Sequence, residues 1–455
     1  MKKLSPAEIE QLIAKAKKPA ADAMALHPFY RGKIQIVPKC CIRDFSDFAI
    51  WYTPGVAAPC KDIQKNLQMS FEHTNRANTI CVLTDGTRVL GLGDIGPEAS
   101  MPVMEGKGLL FKYLGGVDAF PIALATKDPD KFIEAAHMLA PSFGGYNLED
   151  IEQPKCFYIL DKLRKECKIP VWHDDQQGTA AVTVAGMSNA LKLKGVEKKK
   201  ARIAMIGAGA AGIATLRVLV KWGVDPANVV MTDMYGIVHP SRPEFEKHFA
   251  FTKEVVGRTN AEGRKCDKLE DAIPTTMEGM DALIAYSKPG PGTIKAEWIQ
   301  RMAKDPIVFV CANPIPEIWP WEAKEAGALI VATGRSDFPN QVNNSLGFPG
   351  IFRGTLDVNA KTITDEMCIA AALELAKVAE DRGLREDYIV PNMDDWEVFP
   401  REAVAVGMKA IEQGVARIKM TREELLKTST AKIKAARDMT QWMMKEGIIA
   451  PAPAS

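Results

Sequence analysis

Two pairs of adjacent carboxylates stand out in the sequence: Glu149-Asp150, within Asn147-Leu148-Glu149-Asp150-Ile151, and Asp174-Asp175, within His173-Asp174-Asp175-Gln176-Gln177-Gly178-Thr179. Each pair closes an apolar or mixed segment and precedes a new element. Four carboxylates gathered at one point repel one another unless a cation neutralises them. Ligation by oxygen alone suits Mg2+ or Mn2+. Either pair taken singly also reads as a helix cap or a solvated loop, and His173 as a structural hydrogen-bond donor. Motif spacing does not choose between these readings.

A second constellation is Gly207-Ala208-Gly209-Ala210-Ala211-Gly212. It follows a continuous apolar run, Ala201 to Ile206, and opens a helix to Trp222; Asp233 ends the next apolar run. In that context Gly207 permits a tight turn, Gly209 lets a pyrophosphate approach the backbone, and Gly212 lets helix pack on strand. The helix start at Ala210 and Ala211 offers free N–H groups and a positive dipole to phosphates. Asp233 can accept hydrogen bonds from an adenosine ribose. A glycine-rich packing turn that binds nothing is the bland alternative.

These residues need elements to hold them. The pattern predicts helices and an extended segment up to about Asn66, then strands at Thr79 to Thr84 and Thr87 to Leu92. A helix at Met101 to Leu114, a strand at Ala119 to Leu124 and a helix at Pro129 to Leu139 follow. A loop rich in glycine and polar groups comes next, and further helices reach Lys168. Gly178 to Leu193 is small and apolar at helical spacing. Later strands fit Val229 to Thr232, Ala282 to Ala285, Ile307 to Cys311 and Leu329 to Ala332. Strands alternating with helices imply a parallel sheet covered on both faces. Beyond Gly354 helices dominate: Met367 to Ala379, Pro400 to Gly414, and one capped by Thr421-Arg422-Glu423-Glu424. Ser5-Pro6-Ala7-Glu8 forms a capping box with proline at the first helical position.

The bulk numbers set the class. The 455 residues suffice for two or three domains, and 47% hydrophobic with 25% charged residues is a globular balance. A formal charge of +1, without long blocks of either sign, supplies no field for nucleic acid or a membrane surface. Short basic runs such as Lys198-Lys199-Lys200 read as solvated ends of elements, and the 20 methionines as core filler. Nine scattered cysteines, with Cys40 and Cys41 adjacent, fit a reducing compartment. With no secretory pattern and no apolar run that spans a bilayer, a cytoplasmic location is expected.

The sequence resembles the malic enzyme family, in its shorter bacterial and archaeal form, from about Phe45 to Leu356. The motifs that carry the resemblance are Trp51-Tyr52-Thr53-Pro54-Gly55-Val56, Gly91-Leu92-Gly93-Asp94-Ile95-Gly96, Pro102-Val103-Met104-Glu105-Gly106-Lys107, and the two carboxylate segments. Gly207 to Gly212, Ala312-Asn313-Pro314, and Asn343-Asn344 before Phe348-Pro349-Gly350 complete it. The resemblance implies a metal-dependent oxidoreductase that converts L-malate and NAD(P)+ to pyruvate and CO2. It implies that Glu149, Asp150 and Asp175 hold Mg2+ or Mn2+, that Tyr52 is the general acid and Lys107 the general base, and that Asp174 sets the protonation of Lys107. Arg88, Asn313 and Asn344 would contact malate. Gly207, Gly209, Ala210, Ala211, Gly212, Asp233, Ser287 and Asn313 would line the cofactor. A lysine can take the C2 hydroxyl proton if its pKa falls toward neutrality. A homodimer or higher homo-oligomer is implied in the same way.

The resemblance also implies the fold class: α/β, with a Rossmann-type parallel-sheet nucleotide domain inserted beside an α/β substrate and metal domain, and a helical C-terminal return. The expected divisions are residues 1–174, 175–344 and 345–455. Some positions depart from the family pattern. Gln177 stands where many short members carry histidine, Arg88 where many carry alanine, Tyr235 where lysine is frequent, and Lys288 where small residues are usual. Met234 and Tyr235 follow Asp233 with no basic residue beside it, so NAD is expected to be preferred over NADP, with Arg242 and Lys288 the basic side chains that could reverse this. Two alternatives frame the reading. One is another metal-assisted hydroxy-acid or amino-acid dehydrogenase. The other is an inactive nicotinamide-sensing scaffold.

Overall fold

A computed structural model describes residues 5–453. The chain opens on helix α1 (Pro6–Tyr30), whose capping box is present as expected: Ser5 Oγ accepts from the Glu8 N–H and the Glu8 carboxylate accepts from the Ser5 N–H. An extended run follows, then short helices from Phe45 onward that include α2 (Ala57–Lys65).

Four parallel strands form the first sheet: β1 (Thr79–Thr84), β2 (Asp118–Ala123), β3 (Gly145–Leu148) and β4 (Val171–His173), in the order β2-β1-β3-β4. Every residue of β1 is buried, as a strand flanked on both sides and covered on both faces must be. The crossovers run through α3 (Pro97–Gly115), α4 (Pro129–Leu139) and α5 (Lys155–Glu166). Helix α3 starts four residues earlier than the apolar pattern indicated, because Pro97 supplies a preset first helical residue.

Two sequence expectations are corrected here, and one strand is added. Thr87 to Leu92 is a loop, not a strand: Asp85 accepts from the Thr87 N–H and hydroxyl, Leu90 takes a left-handed φ of 48°, and the Val89 N–H returns to the Gly93 carbonyl. The local Asx turn outcompetes the β-branched composition. Residues 145–148, expected in a loop, and residues 171–173, to which no element was assigned, are the strands β3 and β4. Their polar Asn147 and His173 hid them, since only the neighbouring strands make these short segments extended.

A π-helical turn (Asp174–Gly178) joins β4 to α6 (Thr179–Lys194), which is buried along most of its length. The second sheet contains β5 (Ile203–Ile206), β6 (Val229–Asp233), β7 (Gly236–Ile237), β8 (Ala282–Ala285), β9 (Ile307–Val310) and β10 (Ile330–Thr333). Its order is β10-β9-β8-β5-β6-β7, parallel except for the β7 edge. This is a doubly wound sheet whose order reverses between β5 and β8, where ligands of such sheets bind. Helix α7 (Ala210–Trp222) follows β5 directly.

The chain then returns through α8 (Phe348–Asp357), α9 (Asp365–Asp381), α10 (Val398–Glu412) and α11 (Arg422–Lys445). Helices α8 and α11 pack on α3, and α9 packs on α6. An aromatic seam joins the return to the first sheet: the Phe111 ring lies 4.6 Å from Phe348 and 5.1 Å from Phe352, and Phe352 meets the Trp172 ring edge-on. Among the described residues, no helix is long and apolar enough to cross a membrane.

Candidate active site

Parallel pairing brings the two acidic motifs together. Strands β3 and β4 are neighbours, with Leu148 in register with His173, so Glu149-Asp150 and Asp174-Asp175 leave adjacent strand ends. Carboxylate oxygens of Glu149, Asp150 and Asp175 lie within 4.8 Å of one another. Asp150 adopts a left-handed φ of 55°, and its N–H donates to Asp175 at 2.8 Å. The Glu149 carboxylate accepts from Asn147 Nδ2 at 2.9 Å. Burial raises the carboxyls of Glu149, Asp150 and Asp175 above the ordinary carboxylate range, and repulsion from Asp175 adds to this for Glu149 and Asp150.

Lys107, on α3, points into this cluster. Its buried ammonium bonds Asp174, lies 3.2 Å from Glu149 and stands 4.4 Å from the centre of the Phe348 ring. Burial pulls the Lys107 pKa down. The charges of Asp174, Glu149 and Asp175 outweigh it and hold the ammonium above its ordinary value. The expected fall toward neutrality is therefore not a property of the protein groups alone. One ammonium and the exposed Arg88 face four carboxylates, and Asp150 Oδ2 is buried with no hydrogen-bond partner among the described residues. A charge deficit, hard oxygen donors and an orphaned buried oxygen all fit a divalent cation.

His173 is not the structural donor expected. Burial pushes it down to about 3, so the ring is neutral, and neither nitrogen has a hydrogen-bond partner among the described residues. The Arg88 N–H donates to the Asp150 carbonyl at 2.9 Å, which fixes the Arg88 loop beside the carboxylates. That loop also meets the second sheet. A Cβ at Gly91 would lie 2.8 Å from the Asn313 carbonyl oxygen and 2.9 Å from Pro289. Asn344 approaches from the segment after β10: a Cβ at Gly178 would lie 3.2 Å from its side chain.

The glycine-rich turn sits at the end of β5, at the sheet's reversal point. Gly207 has φ of 108°, and a Cβ on Gly212 would fall 2.0 Å from the Gly207 carbonyl, so the third glycine is dictated by helix–strand packing. Before Gly209 there is open space. Gly209 precedes α7, so the first-turn N–H groups of Ala210 and Ala211 have no helical acceptor and suit a phosphate. Ser287 follows β8 across the reversal point. Asp233 ends β6, where the Arg242 guanidinium grips its carboxylate with two bonds of 2.9 Å and also bonds Glu244 at 2.9 Å.

Two family models match the chain: malic enzyme, N-terminal domain, over residues 31–164, and malic enzyme, NAD binding domain, over residues 176–412. The chain belongs to the malic enzyme family. It is 48% identical over 404 residues to a bifunctional malic/malolactic enzyme of Bacillus subtilis (strain 168), covering 89% of this chain and 96% of that one. An NAD-dependent malic enzyme of Geobacillus stearothermophilus is 45% identical, over 85% of this chain and 78% of its own. An NADP-dependent malic enzyme of Halomonas elongata is 43% identical, over 82% and 88%. The malic enzyme of Entamoeba histolytica superposes with a TM-score of 0.93 at 46% identity, covering all of this chain and 93% of that one.

Within this malic enzyme frame one expected site residue stands apart. Tyr52 is 73% exposed and its hydroxyl makes no hydrogen bond among the described residues. Its neighbours Phe45, Phe48, Ile50 and Trp51 are exposed as well, with Phe45 90% exposed. Sequence reading also overlooked Glu317, a buried carboxylate that bonds Ser287 and Ala312 and that burial pushes up to about 7. The signal lay in the stretch Asn313-Pro314-Ile315-Pro316-Glu317-Ile318, where an acid sits in an otherwise apolar, proline-rich run.

Proposed function

We propose that this malic enzyme catalyses oxidative decarboxylation of L-malate to pyruvate and CO2 with reduction of NAD(P)+. The observation that carries the reading is Lys107 buried against Asp174 beside the Glu149, Asp150 and Asp175 cluster. Those three carboxylates would hold Mg2+ or Mn2+. When bound, the nicotinamide accepts the hydride from C2 of malate, and the divalent cation polarises the C2 oxygen and draws off charge as CO2 leaves.

The chain's own groups handle protons and orientation. Glu149 and Asp175 add to the pull of Asp174 that holds Lys107 up. Engaged as ligands, the two would pull less, leaving Asp174 as the partner, and the amine would stand closer to the range in which it accepts the C2 hydroxyl proton. Asp174 keeps it aimed. Arg88 pairs with a malate carboxylate, and Asn313 and Asn344 hold substrate at the cleft between the two sheets. Tyr52 returns a proton to C3 of the enol, balancing the one that Lys107 removed.

An exposed tyrosine cannot do this in open water, so the reading includes a homodimer in which a second copy covers the apolar face around Tyr52. Domains of residues 1–174 and 175–344 with a return over 345–455 fit the two sheets, since β1–β4 fall in the first and β5–β10 in the second. NAD is preferred: Arg242 is already neutralised by Asp233 and Glu244, so a 2′-phosphate meets one excess negative charge. Nine free cysteines suit a cytoplasmic setting.

Malate-dependent appearance of NAD(P)H and pyruvate, with and without Mn2+, tests the reading. NADH formed without pyruvate would favour a plain hydroxy-acid dehydrogenase. A higher kcat/KM with NADP+ would overturn the cofactor preference.

A further inference from the structure

The loops after β8 and β9 flank the second sheet's carboxyl edge and carry Ser287 and Asn313. Their geometry depends on one side chain that touches neither proposed substrate group. Glu317 is fully buried. Its Oε1 accepts from the Ser287 N–H at 2.9 Å and the Ser287 hydroxyl at 3.1 Å, and its Oε2 accepts from the Ala312 N–H at 3.1 Å. Two backbone bonds run alongside, from the Gly290 N–H to the Ile315 carbonyl and from the Ile294 N–H to the Glu317 carbonyl.

A buried carboxylate is costly unless its oxygens are satisfied. Here no basic side chain pairs with it among the described residues, and the acceptors are spent on two separate loops. Glutamine, the same shape, presents an NH2 in place of one oxygen and cannot accept from both loops. Directly beyond the clamp, the Asn313 carbonyl and Pro289 press on the Gly91 turn of the first sheet. The carboxylate thus sits where the strand-end loops, the cofactor cleft and the Arg88 loop meet.

We propose that Glu317 is a positioning residue for hydride transfer: by tying the loop of Ser287 to that of Ala312 and Asn313, it fixes the nicotinamide side of the cleft against the substrate. The inference rests on the oxidoreductase reading above. If the wild-type protein reduces no NAD(P)+ with malate, that reading fails; if wild type works and Glu317 variants match it, this one fails.

The test is Glu317→Gln, read by kcat/KM, the dinucleotide Kd from nucleotide fluorescence, and the primary isotope effect with malate deuterated at C2. A misplacement on the order of 1 Å costs up to about a hundredfold in rate. The expected result is a kcat/KM lowered about ten- to a hundredfold, a weaker dinucleotide Kd and a larger isotope effect, as hydride transfer comes to limit turnover. Glu317→Asp keeps two acceptor oxygens and is expected to retain more activity than Gln. Loss of folded enzyme scales the rate but leaves Kd and the isotope effect of the surviving fraction unchanged. A folded Glu317→Gln enzyme with wild-type Kd and isotope effect overturns the proposal. If that variant does not fold, Glu317→Ala, which removes both acceptor oxygens, takes its place, and wild-type Kd and isotope effect in it overturn the proposal equally.

Discussion

At the scale of residues, the site is an imbalance of charge: Glu149, Asp150, Asp174 and Asp175 surround one buried ammonium. If Glu149, Asp150 and Asp175 share one cation for both halves of the reaction, Asp175→Ala removes both together. Malate oxidation and oxaloacetate decarboxylation should each fall more than about a hundredfold, beyond the loss typical of an outer-shell partner. Decarboxylation that persists in excess chelator would defeat a shared metal. The proton-handling groups separate differently. Lys107→Ala should slow oxidation by roughly a hundredfold or more, while Tyr52→Phe should slow pyruvate release by about a hundredfold with dinucleotide affinity intact. Wild-type turnover in both variants would remove the pair from the chemistry.

Elements hold these residues through a few buried polar joints. Arg353 and Asp357 on α8 form a buried ion pair at 2.8 Å, and Arg353 reaches Asn78 at 2.6 Å ahead of β1. Asp357 also accepts from Ser429 at 2.7 Å and Lys432 at 2.6 Å on α11, so one carboxylate ties the last long helix to α8. Burial alone would raise Asp357, but Arg353, Lys432 and Ser429 outweigh it and hold the carboxyl below its ordinary value. The sign follows from linkage. A carboxyl depressed in the folded state contributes stability above its unfolded pKa, about 3.9, and loses it as pH falls through the folded value. Wild type should therefore be steeply acid-labile below about pH 4. Asp357→Ala should lose about 3 kcal/mol at neutral pH and flatten that acid limb. Chemical denaturation across pH reads both. An acid limb of unchanged slope in the variant would place the lability elsewhere.

For the whole molecule, the feature that stands out is the exposed apolar face carried by Phe45, Phe48, Ile50 and Trp51. Exposed apolar surface of this extent marks an association site. The protein should sediment as a dimer at micromolar concentration. Trp51→Glu should yield a monomer that still binds dinucleotide but turns over at least about tenfold more slowly, because Tyr52 then faces water. A wild-type monomer with full kcat would refute the homodimer.

Much of the site was legible from sequence because its parts are local. The glycine turn needs only a strand before it and a helix after it, and Gly212 is set by contact with Gly207 five residues away. The capping boxes at Ser5 and Thr421 close within one helical turn, and both formed as read. Lys107 and the acidic motifs were singled out by family likeness rather than by spacing, and the fold brings them together.

What escaped it was non-local. Strands β3 and β4 are short and partly polar, and become strands only by pairing with β1 and with each other. That same pairing, not any feature of the two motifs, sets Glu149 beside Asp174. Glu317 was invisible because its partners lie 30 and 5 residues away on different loops. The raised pKa of Lys107 and the exposure of Tyr52 could not be read either. Composition, motif order and local turns follow from interactions within a few residues, and the sequence alone determines them. Which carboxylates meet, how burial and neighbouring charge tune them, and which faces remain uncovered depend on distances between residues far apart in the chain, and only the tertiary structure decides those.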